Sequence, residues 1–116
     1  MEIVFATRQL QKICNNHVQA VKKWGDKNAA LLRKILDEMY DSDNLAVFMN
    51  LPRVRNSRCH PLTGNLSGKF SIDLKHPYRL IFEPANDPLP TNPEGVLEYK
   101  KITIIKILRK ENTHGK

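Results

Sequence analysis

The sequence is poor in cysteine and has neither a long apolar run nor a metal-binding spacing. Its 116 residues include only two cysteines, Cys14 and Cys59, which excludes a disulfide framework or a paired zinc motif. No apolar run approaches the roughly 20 residues of a membrane-spanning helix. The opening residues MEIVFATRQL are charged and lack the long apolar segment of a signal peptide. We therefore expect a cytoplasmic protein with no metal site, no cofactor and no membrane partner.

Acidic residues are also in short supply relative to basic ones. The chain has 19 lysines and arginines against 12 aspartates and glutamates, a formal net charge of +7. Such a charge favours an anionic partner, whether nucleic acid, an acidic protein or a membrane surface, and does not choose among them. The length predicts a single domain over residues 1–116, large enough for one hydrophobic core.

The N-terminal half has the periodicity of helices. After a short β-rich run at residues 2–6, apolar residues recur at helical spacing as far as Trp24. Gly25 ends this helix, and a second amphipathic helix follows over residues 27–42. The pattern predicts a helical hairpin. Cys14 lies on the apolar face of the first helix, which predicts a buried thiol.

The C-terminal half alternates in the manner of strands. Residues 69–75 and 78–83 alternate apolar with polar side chains, and residues 101–109 are apolar on both faces, as expected of a central strand. Residues 45–52 are an ambiguous apolar linker, and the proline-rich residues 84–98 indicate a surface loop. The order β-α-α-β-β-β predicts an α+β fold, in which the helical hairpin packs on a mostly antiparallel sheet.

Cations and histidines concentrate around the predicted strand pair. Lys69 and Arg79 point away from the apolar side chains of neighbouring strands. RNA cleavage without a metal needs one group to take the 2′-hydroxyl proton, another to protonate the leaving 5′-oxygen, and fixed cations for the phosphoryl oxygens. We interpret four residues as candidate catalytic groups: His60, Lys69, Arg79 and His114. Four more cations are candidate RNA contacts: Arg53, Arg55, Arg58 and Lys75.

Simpler interpretations exist for each catalytic candidate taken alone. Lys69 and Arg79 fit a solvated sheet face, His60 fits a turn residue, and His114 fits a residue of an unstructured tail. Only the combination favours catalysis. A nucleophilic pair of Cys59 with the adjacent histidine is disfavoured, because neighbours in an extended segment point in opposite directions. The segment GNLSGK precedes a strand and lacks the spacing of a P-loop.

The segment HPLTGNLSGKFSIDLKHPYRLIF resembles the central part of HigB-like toxins, within the RelE/ParE superfamily of bacterial toxin–antitoxin systems. The family pattern is roughly H-P-L-K-G, a short turn, G-x-W-S-I, a second turn and W/Y-R-I-x-F. The matching residues here are His60, Pro61, Leu62, Gly64, Gly68, Ser71, Ile72, Tyr78, Arg79 and Phe82. The end of the chain, ILRKENTH, resembles the C-terminal signature of the family, with His114 in its last position.

This resemblance implies an endoribonuclease that enters the ribosomal A site and cuts mRNA there. Its partners would be the ribosome, mRNA and a neutralising antitoxin, often one with a helix-turn-helix domain. By the same resemblance Arg79 would stabilise the phosphate and His114 would act as general base or acid. His60 would handle a second proton or orient the substrate.

Several positions depart from the family pattern. Thr63 replaces a lysine, for which Lys69 is a candidate substitute, and Asn112 and Thr113 replace an acidic and an aromatic residue. Two alternatives therefore stay open. One is a non-enzymatic inhibitor of DNA gyrase of the ParE type, which the joint presence of two histidines and Arg79 disfavours. The other is a catalytically inactive homologue that only binds its antitoxin.

Overall fold

The computed structural model describes residues 1–113, so the candidate His114 lies outside the described part of the chain. Within that part, one five-stranded sheet is combined with five α-helices, which confirms the predicted α+β class. The strands are β1 (Glu2–Phe5), β2 (His60–Pro61), β3 (Phe70–Asp73), β4 (Tyr78–Pro84) and β5 (Ile104–Asn112). The helices are α1 (Arg8–Asn15), α2 (His17–Trp24), α3 (Asp26–Asp41), α4 (Leu45–Asn50) and α5 (Pro52–Asn56).

The sheet is mixed, with the strand order β1-β5-β4-β3-β2. β1 pairs in parallel with β5, whereas the other three strand pairs are antiparallel. The prediction that residues 101–109 form a central strand is correct as regards strand pairing, because β5 is hydrogen-bonded to β1 along one edge and to β4 along the other. The prediction that both of its faces are covered is wrong. Ile105 and Ile107 on one face are buried, whereas Ile104 and Lys106 on the other face are only partly buried.

The single helix predicted before Trp24 is two helices. Asn16 adopts an extended backbone with φ −138°, which ends α1. The Asn16 Oδ1 atom accepts a hydrogen bond from the Gln19 backbone N–H at 3.3 Å and so caps α2. Apolar periodicity continues across this break, which is why the sequence pattern does not show it.

The ambiguous linker and the basic segment after it also differ from the prediction. Asn44 caps α4 by accepting a hydrogen bond from the Val47 backbone N–H at 3.0 Å, and Pro52 begins α5. Helices of six and five residues are too short to show a 3.6-residue period. His60, predicted to lie in a turn, begins the short edge strand β2. The order within the described residues is therefore one strand, five helices and four strands.

The core lies between the helices and one face of the sheet. The rings of Phe70 and Phe82 stack with centroids 5.4 Å apart, and Phe48 of α4 meets Phe82 edge-on at 6.3 Å. All three side chains are buried, so α4 is an essential part of the core. Cys14, predicted to be a buried thiol, is partly buried and packs against the margin of this core. Burial raises the pKa of its thiol to about 12.

Asn16→Ala is expected to lower the free energy of unfolding by about 1 kcal/mol, because the N-cap of α2 is lost. Asn15→Ala is the matched control: Asn15 is exposed, is the last residue of α1, and is not the residue that caps α2. Urea denaturation of both variants and the wild type measures the difference. Equal stabilities for the two variants would show that the cap contributes nothing.

Candidate functional site

The sheet face opposite the phenylalanine core carries most of the charged strand residues. Along β3 and β4, Phe70 and Phe82 point to the core, so the residues that alternate with them point the other way. We call this surface the charged face and define it by ten residues: His60, Lys69, Ser71, Asp73, Arg79, Ile81, Glu83, Lys106, Arg109 and Glu111. Ser71 and Ile81 are buried within it, and the charged side chains surround them.

The strand register sorts the charged face into three rows. The rows are Asp73–Arg79–Glu111, then His60–Ser71–Ile81–Arg109, then Lys69–Glu83–Lys106. Neighbouring strands lie about 4.8 Å apart, and residues two positions apart on a strand are separated by about 7 Å. By these spacings the Cα atoms of His60 and Arg79 lie about 12 Å apart. Their side chains can therefore reach the same nucleotide.

A β-bulge brings the end of β5 onto the charged face. Phe82 pairs with Ile107, but the preceding residue Ile81 pairs with Arg109, so that Leu108 is an extra residue on β5. Without this extra residue, strict alternation would place Arg109 on the core side together with Ile107. The bulge therefore reverses the side-chain directions of the last residues of β5 and places Arg109 and Glu111 on the charged face.

Two arginines hold the Glu111 carboxylate. Glu111 Oε2 accepts a hydrogen bond from Arg79 Nε at 2.9 Å and a second from Arg79 Nη2. Glu111 Oε1 accepts hydrogen bonds from Arg109 Nε at 3.1 Å and Arg109 Nη2 at 3.0 Å. The hydrogen bond from Arg79 is the largest cause that lowers the pKa of Glu111, and Arg109 lowers it further against the effect of burial. The carboxylate is therefore ionised at neutral pH.

Carboxylates also pair with other cations at the charged face. Lys69 Nζ lies 3.8 Å from Glu83 Oε1. Arg58, next to the face, donates from Nε to Asp73 Oδ2 at 2.6 Å, and this hydrogen bond raises the pKa of the arginine. His60 is exposed, with its Nδ1 3.0 Å from the carbonyl oxygen of the next residue. Cations and carboxylates thus alternate on this surface, which is not uniformly basic.

The structure brings together three of the four catalytic candidates, His60, Lys69 and Arg79, and places Arg58 beside them. The remaining RNA-contact candidates are not among the ten residues that define the charged face. Arg53 instead pairs with Glu38 of α3, with Arg53 Nε 3.3 Å from Oε2.

The two other RNA-contact candidates are exposed at different places in the fold. Arg55 lies on α5. Lys75 lies in the turn between β3 and β4, where its backbone N–H donates to Asn28 Oδ1 of α3 at 2.9 Å. This hydrogen bond ties the turn to the helical layer, so Lys75 has a structural contact independent of any RNA.

Sequence reasoning missed Glu83, Lys106, Arg109 and Glu111 as residues of the site. The alternation of charge in LRKEN was the available signal, since Arg109 and Glu111 are two positions apart and must share a face. Which face they share depends on the bulge.

Within residues 1–113, the side chains favour neither a metal-binding site nor a reactive cysteine thiolate. No group of three or more His, Cys, Asp or Glu side chains in this part of the chain is arranged to hold a metal ion. Burial raises the pKa of Cys59 to about 12, which disfavours the reactive thiolate. Acid–base chemistry on an anionic ligand, with arginine and lysine as fixed cations, is what the charged face can provide.

Acidification is expected to destabilise the fold through Glu111. Because its pKa is lowered in the folded state, Glu111 contributes stability above its unfolded pKa of about 4.3, and this contribution is lost as the pH falls through the folded pKa. Urea midpoints between neutral pH and about pH 3 should fall further for the wild type than for Glu111→Gln. Glu98→Gln, which removes a carboxylate paired with Lys101, is the control. Identical pH profiles for all three proteins would contradict the prediction.

No protein-family model matches the chain, and no curated protein matches it. Among residues 1–113, no helix is both long and apolar enough to cross a membrane. The structure and the site together define an α+β domain with a charged sheet face.

Proposed function

We propose that the chain is the toxin of a bacterial type II toxin–antitoxin system and acts as a ribosome-dependent endoribonuclease on mRNA. The observation that supports this most directly is the placement of His60, Lys69 and Arg79 on one face of the sheet. The last residue of β5, Asn112, pairs with Tyr78 beside Arg79, and His114 follows it in the sequence by two positions.

The proposed reaction transfers one proton at each end of the phosphodiester. One histidine takes the proton of the 2′-hydroxyl as O2′ attacks phosphorus, and the other gives a proton to O5′ as the P–O5′ bond breaks. The products are a cyclic phosphate and a 5′-hydroxyl. Arg79 neutralises the charge that develops on the non-bridging oxygens, and Lys69 adds a second cation from the far row of the charged face. A cognate antitoxin, with a helix-turn-helix domain, would block this activity.

Mapping of mRNA 5′ ends in bacterial cells after induced expression tests the proposal. The matched control is the same gene with an early stop codon. New ends that follow the reading frame inside translated regions, absent from the control, are the expected result. Growth arrest without new ends would contradict the nuclease and favour a protein target such as gyrase.

The ion pairs of the site support a second candidate function. Arg58, Lys69 and Arg79 each pair with a carboxylate of the same chain. Thr113 stands where the family has an aromatic residue, and its hydroxyl donates to the Pro77 carbonyl oxygen at 2.7 Å, which is a structural contact. Both features favour an inactive homologue that only binds its antitoxin. A folded protein that causes neither growth arrest nor mRNA cuts would favour this alternative.

A further inference from the structure

The Glu111 carboxylate lies where two arginine side chains converge on the charged face. Each of its oxygens accepts hydrogen bonds from Nε and Nη2 of one guanidinium group, Arg79 on one side and Arg109 on the other. Guanidinium groups bind phosphates with the same forked geometry that they use for carboxylates. The two arginines are therefore already arranged around an anion, and the anion is part of the same chain.

We propose that Arg79 and Arg109 form a binding site for a phosphodiester of single-stranded RNA, that Glu111 occupies this site in the free protein, and that RNA binds by displacing Glu111. The inference rests on the proposed function, which supplies RNA as the ligand. It adds an autoinhibitory residue, Glu111, and a second phosphate-binding residue, Arg109, neither of which belongs to the catalytic candidates.

The geometry allows Glu111 to leave the site without a change of fold. Its side chain is 26% exposed and that of Arg109 is 43% exposed, and neither belongs to the apolar core. Rotation about the side-chain bonds of Glu111 would release both guanidinium groups while β5 stays paired. Because the pKa of Glu111 is lowered, it competes with phosphate as a full negative charge throughout the neutral range.

The other carboxylates on the charged face compete less strongly for their cations. Asp73 receives a single arginine nitrogen, Arg58 Nε, and Glu83 lies 3.8 Å from Lys69 Nζ. Only Glu111, among the residues that the structure describes, is held by two arginine forks at once. The effect of removing a carboxylate should therefore be largest at this position.

Glu111→Gln tests the proposal because it keeps the side-chain shape and removes the charge. The probe is a fluorescein-labelled single-stranded RNA of about 15 nucleotides, a length that spans one binding groove. Its 2′-O-methyl groups block cleavage, and its affinity is measured by fluorescence anisotropy. We expect Glu111→Gln to bind about 10-fold more tightly than the wild type, with a log–log salt slope steeper by about 0.7 to 1.4, as one or two additional phosphate contacts require.

Two further variants, Glu98→Gln and the double variant Arg79→Ala/Glu111→Gln, test whether the gain in affinity comes from releasing the arginines. Glu98→Gln adds the same net charge and breaks a different ion pair, with Lys101 at 3.4 Å, so it should change the affinity less than about 2-fold through long-range charge alone. In the double variant Arg79→Ala/Glu111→Gln, the gain in RNA affinity over the wild type should disappear. Glu111→Thr, which suits a strand, repeats the test should Glu111→Gln fold poorly.

The outcomes separate this inference from the proposed function. Equal affinities for Glu111→Gln and Glu98→Gln, or no binding by any folded variant, would overturn the displacement of Glu111. Neither result would bear on cleavage, because mRNA cuts in cells are measured independently. Frame-dependent cuts together with unchanged affinity would mean that the toxin proposal holds and that Glu111 is only a structural partner of its arginines.

Discussion

Replacing Arg79 with alanine is expected to lower the rate of mRNA cleavage by about 100- to 1,000-fold, the usual cost of removing one group that stabilises a transition-state charge. Arg79 lies in the middle of β4, between Asp73 of β3 and Glu111 of β5, where its position is set by strand pairing on both sides. The fold should persist, since Glu111 keeps its hydrogen bonds to Arg109. Cleavage rates in a purified translation system measure the loss.

The matched control for this variant is Arg33→Ala. Arg33 is an exposed arginine of α3, outside the charged face, so its removal lowers the net charge equally and should leave cleavage at the wild-type rate. Arg79→Lys keeps the charge without the planar fork and should lie between the wild type and the alanine variant. Near-normal cleavage by a folded Arg79→Ala protein would remove Arg79 from the mechanism.

His114→Ala is expected to lower cleavage by about 100- to 10,000-fold, the range for losing a general acid or base. His114 lies beyond the described residues, so this expectation comes from the sequence resemblance alone. The pH dependence of the rate should also change, because removal of one histidine removes one limb of a bell-shaped profile. Cleavage rates between about pH 5 and 9 measure both effects.

Two chain-length variants serve as controls for the His114 prediction. A chain that ends after Thr113 should be as inactive as His114→Ala, whereas a chain that ends after His114 should stay active. His17→Ala, which removes an exposed histidine of α2, should have no effect. Wild-type cleavage by His114→Ala would eliminate the residue as acid or base and leave His60 as the sole histidine candidate for that role.

Much of the sheet could be predicted from the sequence, because strand alternation is a local property. The alternating residues 69–75 and 78–83 identify β3 and β4 and the apolar side of each. The break at Asn16 could not be predicted, since an extended residue between two helices leaves the apolar period intact. The parallel pairing of β1 with β5 joins residues about a hundred positions apart, which no local pattern reports.

The site was predictable in its cations but not in its carboxylates. Lys69 and Arg79 could be expected on one surface because each lies on or beside a strand with a clear apolar side, whereas the two-residue strand that carries His60 has no apolar side. The ion pair of Arg79 with Glu111 depends on the register of β4 against β5, and the bulge within that pair changes which side Glu111 takes. The Glu111 carboxylate, which pairs with Arg79, therefore cannot be identified as part of the site before the strand pairing is known.

The central position of β5 also governs when the sheet can be completed during synthesis. β1 is made before every other strand of the described chain, yet its only strand partner there is β5, at residues 104–112. Until that strand has left the ribosome, the sheet has no link between β1 and β4, and Arg109 and Glu111 are not in place on the charged face. A nascent chain that lacks β5 thus has no complete charged face, and this surface can assemble only after residues 104–112 have been made.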